Sequence, residues 1–548
     1  MVSKYIPPKQ RALVLQGGGS IGAYEAGVFL VLYHWLRKDI QNENDNENMF
    51  DIVAGTSIGA INGAILVNYV QENKTWEGAH LQLLKFWDDI SSTPDLSNWW
   101  PFWFNFPFAW SENSWMNVWD QRNKSNPTAA TGEAARRYFS AKEYILSGAP
   151  NVFSRPRKIY DDKFFDDYTI PSNTWYMYDN KPLRESIKRN VHFPIATSYY
   201  DDKNQPIKQP RLLTVSVDVE EGETVVFDSY TKKDGSRSSE YGFDEELTKK
   251  YTQKIEYNKG LMVEHIIASA SVPIHYEYTY VPVHYDYNNI GDKEREDRLK
   301  EDLRQGNLVN HRRFWDGGIL SNTPLRDLIQ SHQNYWTEVE DAAEIPNLEV
   351  YVVDVWPWME EKNYPISSDY DSVINRKNGL TYQDKTPYDE KVTNIVSDYL
   401  NLSNELLKLA KRKNATEKEI NEILDIPGKS RHHTGEKRQY RSLLEKRFDI
   451  TKLIRIERSG DPNDISNKWC DSSTDTKDWL IRQGVEDALD TLVKDILKES
   501  EGVEESKGVE QASSQLNKFM NEIKDQNIED TRLLIEAGKK IQTKLKLK

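Results

Sequence analysis

A single serine stands between two glycines where an apolar run (Phe50 to Ala54) meets an Ala- and Ile-rich segment, as Gly55-Thr56-Ser57-Ile58-Gly59. A hydroxyl is a weak nucleophile until a base takes its proton and the backbone presents its oxygen. Gly55 and Gly59 permit a sharp strand-to-helix bend, and the following helix aims its free N–H groups at the same point. The spacing fits a nucleophile elbow centred on Ser57, although an ordinary tight turn uses the same glycines. A second cluster, Gly17-Gly18-Gly19, follows the short apolar run 11–16 and opens onto another helical stretch. Main-chain N–H groups there, unobstructed by side chains, suit a carbonyl oxygen that gains negative charge during acyl transfer. Gly17 to Gly22 (GGGSIG) also fits the dinucleotide fingerprint, but that requires an acidic residue about 20 positions on, at the end of the second strand. Here that region is a helix end and a polar loop, and Asp51 precedes the strand it should close. A third glycine-framed site, Asp316-Gly317-Gly318, leads into ILSNTP. Taken alone, a plain turn explains it.

These residues need elements to hold them. Residues 11–16 and 50–54 read as buried strands, and 21–36 and 58–70 as helices, which predicts a parallel sheet. Residues 211–218 and 223–228 read as a hairpin, and 348–354 as another buried strand. From about 75 to 210 the pattern gives way to an aromatic, Pro- and Asn-containing insertion. Beyond about 360 it becomes a series of charged amphipathic helices, ending in a Lys- and Glu-rich appendage or tail. The expected division is a domain carrying these glycine-framed sites over 1–360, with its insertion at 75–210, and a mainly helical region over 361–548.

Composition narrows the partners. A net charge of −15 and a pI near 5.4 argue against nucleic acid, whose phosphates require a concentrated basic surface. The one cysteine, Cys470, excludes an internal disulfide framework and a cysteine-built zinc site, and no metal-ligand cluster stands out. The start of the chain lacks the apolar core of a secretory signal, and no apolar run reaches the length of a membrane span. The expected setting is the cytoplasm, with peripheral membrane contact through a local basic patch left open, as is export by a route without a leader. Sixteen Trp and 29 Tyr are many for a mean hydropathy of −0.75. The rings concentrate in SNWWPFWFNFPFAWSENSWMNVWD (97–120), which suits either a lid or docking surface over 98–119, or a subdomain core.

Together the motifs GGGSIGAYEAGV (17–28), GTSIG (55–59), ASASVPIHYEY (268–278) and DGG…NTP (316–324) identify a resemblance to the patatin-like phospholipase family over about 11–356, resumed weakly at 476–492. The resemblance implies a three-layer α/β/α fold around a mainly parallel sheet. It implies a Ser–Asp dyad, with Ser57 as nucleophile and Asp316 as base, and an oxyanion hole from Gly17, Gly18 and Gly19. It implies no cofactor and no metal. The expected substrate is a lipid or phospholipid, in a phospholipase A or lysophospholipase reaction; a neutral-lipid or soluble carboxylesterase, or a non-catalytic lipid-binding scaffold, are the alternatives. Ile21 departs from the family, many of whose members carry Arg or Lys there. The rival is a triad with histidine last, for which His332, His432 and His433 follow Asp316; each reads as an ordinary surface residue. His311 reads as a loop residue near the site mouth, and His275 as part of the pocket wall.

Overall fold

The computed structural model describes residues 5–41, 48–94, 130–155, 176–201, 203–207, 209–241, 253–282, 311–340, 342, 344–356, 370–431, 437–444, 447–461, 463–500, 505–524 and 531–546. Strand β1 (Lys9–Leu15) is buried at every position but its first. Such continuous burial is what a strand covered on both faces requires. Helix α1 (Ala23–Gln41) returns the chain so that β2 (Ile52–Thr56) pairs with β1 in parallel, Leu15 opposite Gly55. A 3₁₀ turn over Gly19–Gly22 precedes α1, so the helix starts later than periodicity alone predicts. Helices α2 (Ile58–Asn73), α3 (Ala79–Ile90), α4 (Ala130–Ser147) and α5 (Lys181–Asn190) follow. Next come strands β3 (Arg211–Asp218) and β4 (Glu223–Asp228), the expected antiparallel hairpin, and the short helix α6 (Val263–Ala268). Strands β5 (Thr279–Pro282) and β6 (His311–Asp316), helix α7 (Leu325–Asn334) and strand β7 (Asn347–Asp354) complete the region that carries the motifs.

The remainder holds α8 (Tyr370–Tyr382), α9 (Pro387–Arg412), α10 (Glu417–Leu424), strand β8 (Ile450–Glu457), α11 (Thr474–Glu499), α12 (Glu505–Lys524) and α13 (Thr531–Lys546). The sheet order is β8-β7-β1-β2-β3-β6-β5, with β4 also on β3. The run from β8 to β3 is parallel, while β4, β5 and β6 are antiparallel. Alternate residues separate two cores. Leu13, Leu15, Val53, Tyr351 and Val353 face the larger one with α1, α2 and α11. Ala12, Val14, Ala54, Val350 and Val352 face Leu325 and Leu328 of α7 on the other side. The fold is thus three layers, α/β/α, about a mainly parallel sheet.

The expected boundary near residue 360 is not a seam in this fold. Strand β8 pairs along β7, and Arg455 on it bonds the buried carboxylates of Asp354 and Asp384. Helix α11 lies directly on α1: a Cβ on Gly27 would stand 2.0 Å from the Ile481 carbonyl oxygen, and one on Gly484 would stand 2.2 Å from that of Tyr24. Only glycines permit backbones so close. The last two helices are no loose tail, since Leu516, Phe519, Leu534 and Ile541 join the main core and Trp35 packs on Phe519. The physical reason is exposure: without β8 and α11, β7 would be an open edge and α1 would show its apolar face to water. The region is mainly helical, as expected, but it belongs to the same core. Residues 98–119 lie outside the described residues. Elsewhere Trp76, Trp87, Trp336 and Trp356 are all buried.

Candidate active site

Ser57 occupies the single position between the end of β2 and the start of α2, with φ 56° and ψ −122°. This is a conformation that costs a side-chain-bearing residue about 1–3 kcal/mol and persists only where surroundings over-determine it. The surroundings do so here. A Cβ on Gly55 would meet the Gly59 carbonyl at 2.3 Å, and one on Gly59 would meet the Leu15 carbonyl at 2.4 Å, so the turn closes only with glycine at both. From outside, the Ser57 N–H donates to Ser269 Oγ (2.9 Å), which itself donates to the Val215 carbonyl (2.5 Å). Ser269 lies in the ASAS run, but nothing in that run marks which serine braces the elbow.

Asp316 ends β6, where its N–H donates to the Ser271 carbonyl at 2.9 Å. Oδ1 accepts the Gly318 N–H at 2.7 Å, and the Ser57 side chain lies close enough to favour the charged carboxylate. Burial pushes Asp316 up to about 6, and the nearby Ser57 side chain and the Gly318 N–H oppose that rise without cancelling it. A desolvated carboxylate holds its proton more tightly, because the charged form loses hydration. Gly317 is needed for the approach to β3, since a Cβ there would stand 2.2 Å from the Val215 carbonyl.

The glycine loop reaches the same point. A Cβ on Gly17 would stand 3.0 Å from Cβ of Ser57. Its N–H, however, is committed to the Asn322 carbonyl at 3.1 Å, which corrects its expected role as an oxyanion donor. Gly18 and Gly19 donate their N–H groups to no partner among the described residues. Ile21 is buried, its side chain under Gly18, so the side chain at this position fills core where many relatives place a cation. Gly22 abuts Ile58 at the start of α2.

Side chains distant in sequence lock these three loops together. Asn322 Nδ2 donates to the carbonyls of Gly17 (3.2 Å) and Tyr382 (2.7 Å). Gln16 Nε2 donates to Thr323 Oγ1 (2.9 Å), its Oε1 accepts from the Trp356 N–H (2.6 Å), and Thr56 Oγ1 donates to the Ser321 carbonyl (2.9 Å). Tyr382 stands close enough that the Asp316 charge, after burial, raises its phenol. The Trp469 carbonyl lies against Gly19, and the Trp469 ring packs edge-on to His275 with centroids 4.5 Å apart. Tyr382 and Trp469 belong to no motif and carry no sequence signal.

No histidine is a hydrogen-bond partner of Ser57 or Asp316 among the described residues. His332 is fully buried rather than a surface residue: its Nε2 contacts the Pro346 carbonyl and burial lowers it to about 3. His311 begins β6 opposite Pro282, and burial lowers His275. His432 and His433 lie outside the described residues. Among the described residues, no group of three or more His, Cys, Asp or Glu side chains is placed to hold a metal ion.

A glycine-framed serine at the carboxyl end of a parallel strand, with a buried aspartate on the antiparallel strand beyond β3, sits in a three-layer α/β protein. The chain belongs to the patatin-like phospholipase family, whose sequence profile matches residues 13–329. Membership makes it one of a family of lipid acyl hydrolases. Among solved structures, the crystal structure of VipD from Legionella pneumophila aligns over 99% of this chain and 88% of that one, at 11% identity and a TM-score of 0.22. A superposition that loose says nothing about shared geometry at the site. No curated protein matches the chain.

Proposed function

We propose that the protein is a serine-dependent lipid acyl-ester hydrolase of the phospholipase A or lysophospholipase type. The observation that carries this reading is the placement of Ser57, on a strained turn, near a buried Asp316 whose pKa is raised to about 6. In the proposed reaction the Ser57 Oγ attacks the ester carbonyl carbon as its proton passes to the Asp316 carboxylate. The N–H groups of Gly18 and Gly19 hold the resulting oxyanion. Collapse breaks the bond to the alcohol, which leaves with the proton from Asp316. Water then adds to the acyl-serine, giving its proton to Asp316, and the fatty acid departs as Oγ takes that proton back. Ile319 and Leu320, directly after Gly317-Gly318, are 41% and 53% exposed, and Ile274 is 60% exposed; an apolar rim of this kind suits acyl chains.

The buried Ile21 favours a second, narrower reading in which the loop recognises the ester and not a phosphate, so neutral lipids are substrates as well. The test is intact-mass and peptide mapping after fluorophosphonate treatment of wild type, Ser57→Ala and Asp316→Asn. It is paired with fatty-acid release from phosphatidylcholine, lysophosphatidylcholine and triacylglycerol. An adduct confined to Ser57 and weakened in Asp316→Asn is expected, with release from the phospholipids. A folded wild type that neither labels nor releases fatty acid in detergent or with vesicles defeats the hydrolase reading and leaves the scaffold.

A further inference from the structure

Helix α9 has 26 residues, and none is buried. Val392, Ile395, Tyr399, Leu402, Leu406 and Leu409 recur at steps of three and four and so share one face. They are between 40% and 68% exposed. Ile423, Ile426 and Tyr440 add exposed apolar surface, and a groove of about 680 Å³ runs between α9, α10 and Leu444. Charge distinguishes the far end of α9 and the segment that follows from the rest of the chain. Residues 408–447 hold twelve Lys and Arg against six Asp and Glu, in a protein whose net charge is −15.

The start of α9 is fixed to the candidate active site. The Tyr382 carbonyl receives Asn322 Nδ2, Arg455 bonds Asp384, and Arg326 on α7 bonds Asp389 at 2.7 Å. From that anchor the helix runs about 39 Å at 1.5 Å per residue.

We propose that α9 and α10 form a docking surface for an anionic lipid bilayer. The apolar face enters the acyl boundary and the cations at the end of α9, among them Lys411, Arg412 and Lys413, meet the headgroups. The purpose of such docking rests on the lipid hydrolase reading, but the binding itself does not use Ser57. A second copy of the chain suits the surface less well. The apolar spacing is that of a coiled-coil seam, but the flanking positions Val396, Ser403 and Ala410 offer no charge to pair with Lys391, Asp398 and Glu405. A parallel pair would also bring two basic segments together.

The test is flotation of full-length protein in a Ser57→Ala background, so that no lipid is consumed and a failure to dock leaves the hydrolase reading untouched. Vesicles of phosphatidylcholine with phosphatidylserine are compared with phosphatidylcholine alone. Light scattering reports the oligomeric state, and circular dichroism checks each variant's fold. Wild type is expected to float with the anionic vesicles and to lose binding as salt rises. Leu402→Glu/Leu406→Glu and, independently, Lys411→Glu/Arg412→Glu/Lys413→Glu are each expected to lower bound protein by about tenfold or more. The proposal is overturned if wild type does not float, or if both folded variants float like wild type. A stable dimer that Leu402→Glu/Leu406→Glu dissociates also overturns it, and assigns the face to a second copy.

Discussion

Asn322 holds Gly17 from two directions: its carbonyl accepts the Gly17 N–H at 3.1 Å, and its Nδ2 donates to the Gly17 carbonyl at 3.2 Å. The loop after β6 therefore sets the position of the loop after β1, and the distance from Gly18 and Gly19 to Ser57 depends on a residue six positions beyond Asp316. Asn322→Ala keeps the main-chain bond and strands the carbonyls of Gly17 and Tyr382. It is expected to cost about 1–3 kcal/mol in urea denaturation. It is also expected to lower kcat about tenfold or more with a smaller change in KM, as misplaced donors do. Asn322→Asp, of the same shape but unable to donate, should resemble Ala. Wild-type kcat in both folded variants would remove Asn322 from any positioning role.

Activity should follow the ionisation of Asp316. Only the carboxylate accepts the Ser57 proton, and burial places its titration at about 6. Therefore kcat/KM on a soluble ester should rise with pH through about 6 and then level. A profile flat across that range in a folded enzyme contradicts the assignment of Asp316 as base.

The same group should weaken the fold above that pH. Asp316 titrates near 6 in the folded chain, against an ordinary value of 3.8. Between those values the folded state holds a proton that the unfolded chain has released. Its contribution to stability is therefore present in acid and lost as pH rises through about 6. At neutral pH the buried charge opposes folding by on the order of 3 kcal/mol. Asp316→Asn, which can still accept from Gly318, should be inactive yet more stable than wild type at neutral pH. The gap should close in acid, as measured by urea midpoints at the two pH values.

Gly19 has φ 59°, and a Cβ there would stand 2.6 Å from the Trp469 carbonyl. Gly19→Ala adds about 1 kcal/mol of backbone strain and also displaces the loop. Labelling of Ser57 by fluorophosphonate should slow by more than that loss of stability explains. Labelling at the wild-type rate would place the oxyanion donors elsewhere.

A chain ended after residue 356 retains the four motifs but loses α11 and β8, and with β8 the Arg455 that pairs with buried Asp354. It should fail to fold, appearing as aggregate in size-exclusion chromatography. A monomeric product with native far-ultraviolet circular dichroism would restore the boundary near 360.

What the sequence discloses here is what is local. β1, β2 and the β3–β4 hairpin are continuous apolar runs, and the glycines at 17–19, 55, 59 and 317–318 announce turns that no other residue can make. Strand β8 escapes notice because ITKLIRIE mixes three charges into its alternation, two of which, Lys452 and Arg455, pair with acids such as Asp495 and Asp354 from elsewhere in the chain. His332 looks like the polar end of an amphipathic helix, yet Phe448, more than a hundred residues on, covers it. The commitment of the Gly17 N–H, the brace from Ser269 and the approach of Tyr382 and Trp469 are tertiary facts with no local trace.

The placement of Trp469 over Gly19 and of α11 on α1 also has a consequence in time. Ser57 and Asp316 both precede residues 469–499 in the chain, so the Gly17–Gly19 loop is roofed only after those residues emerge. A chain stopped between Asp316 and residue 469 thus carries Ser57 and Asp316 without that enclosure. This enclosure closes only after residues 469–499 are made, as expected when contacts far apart in sequence close last.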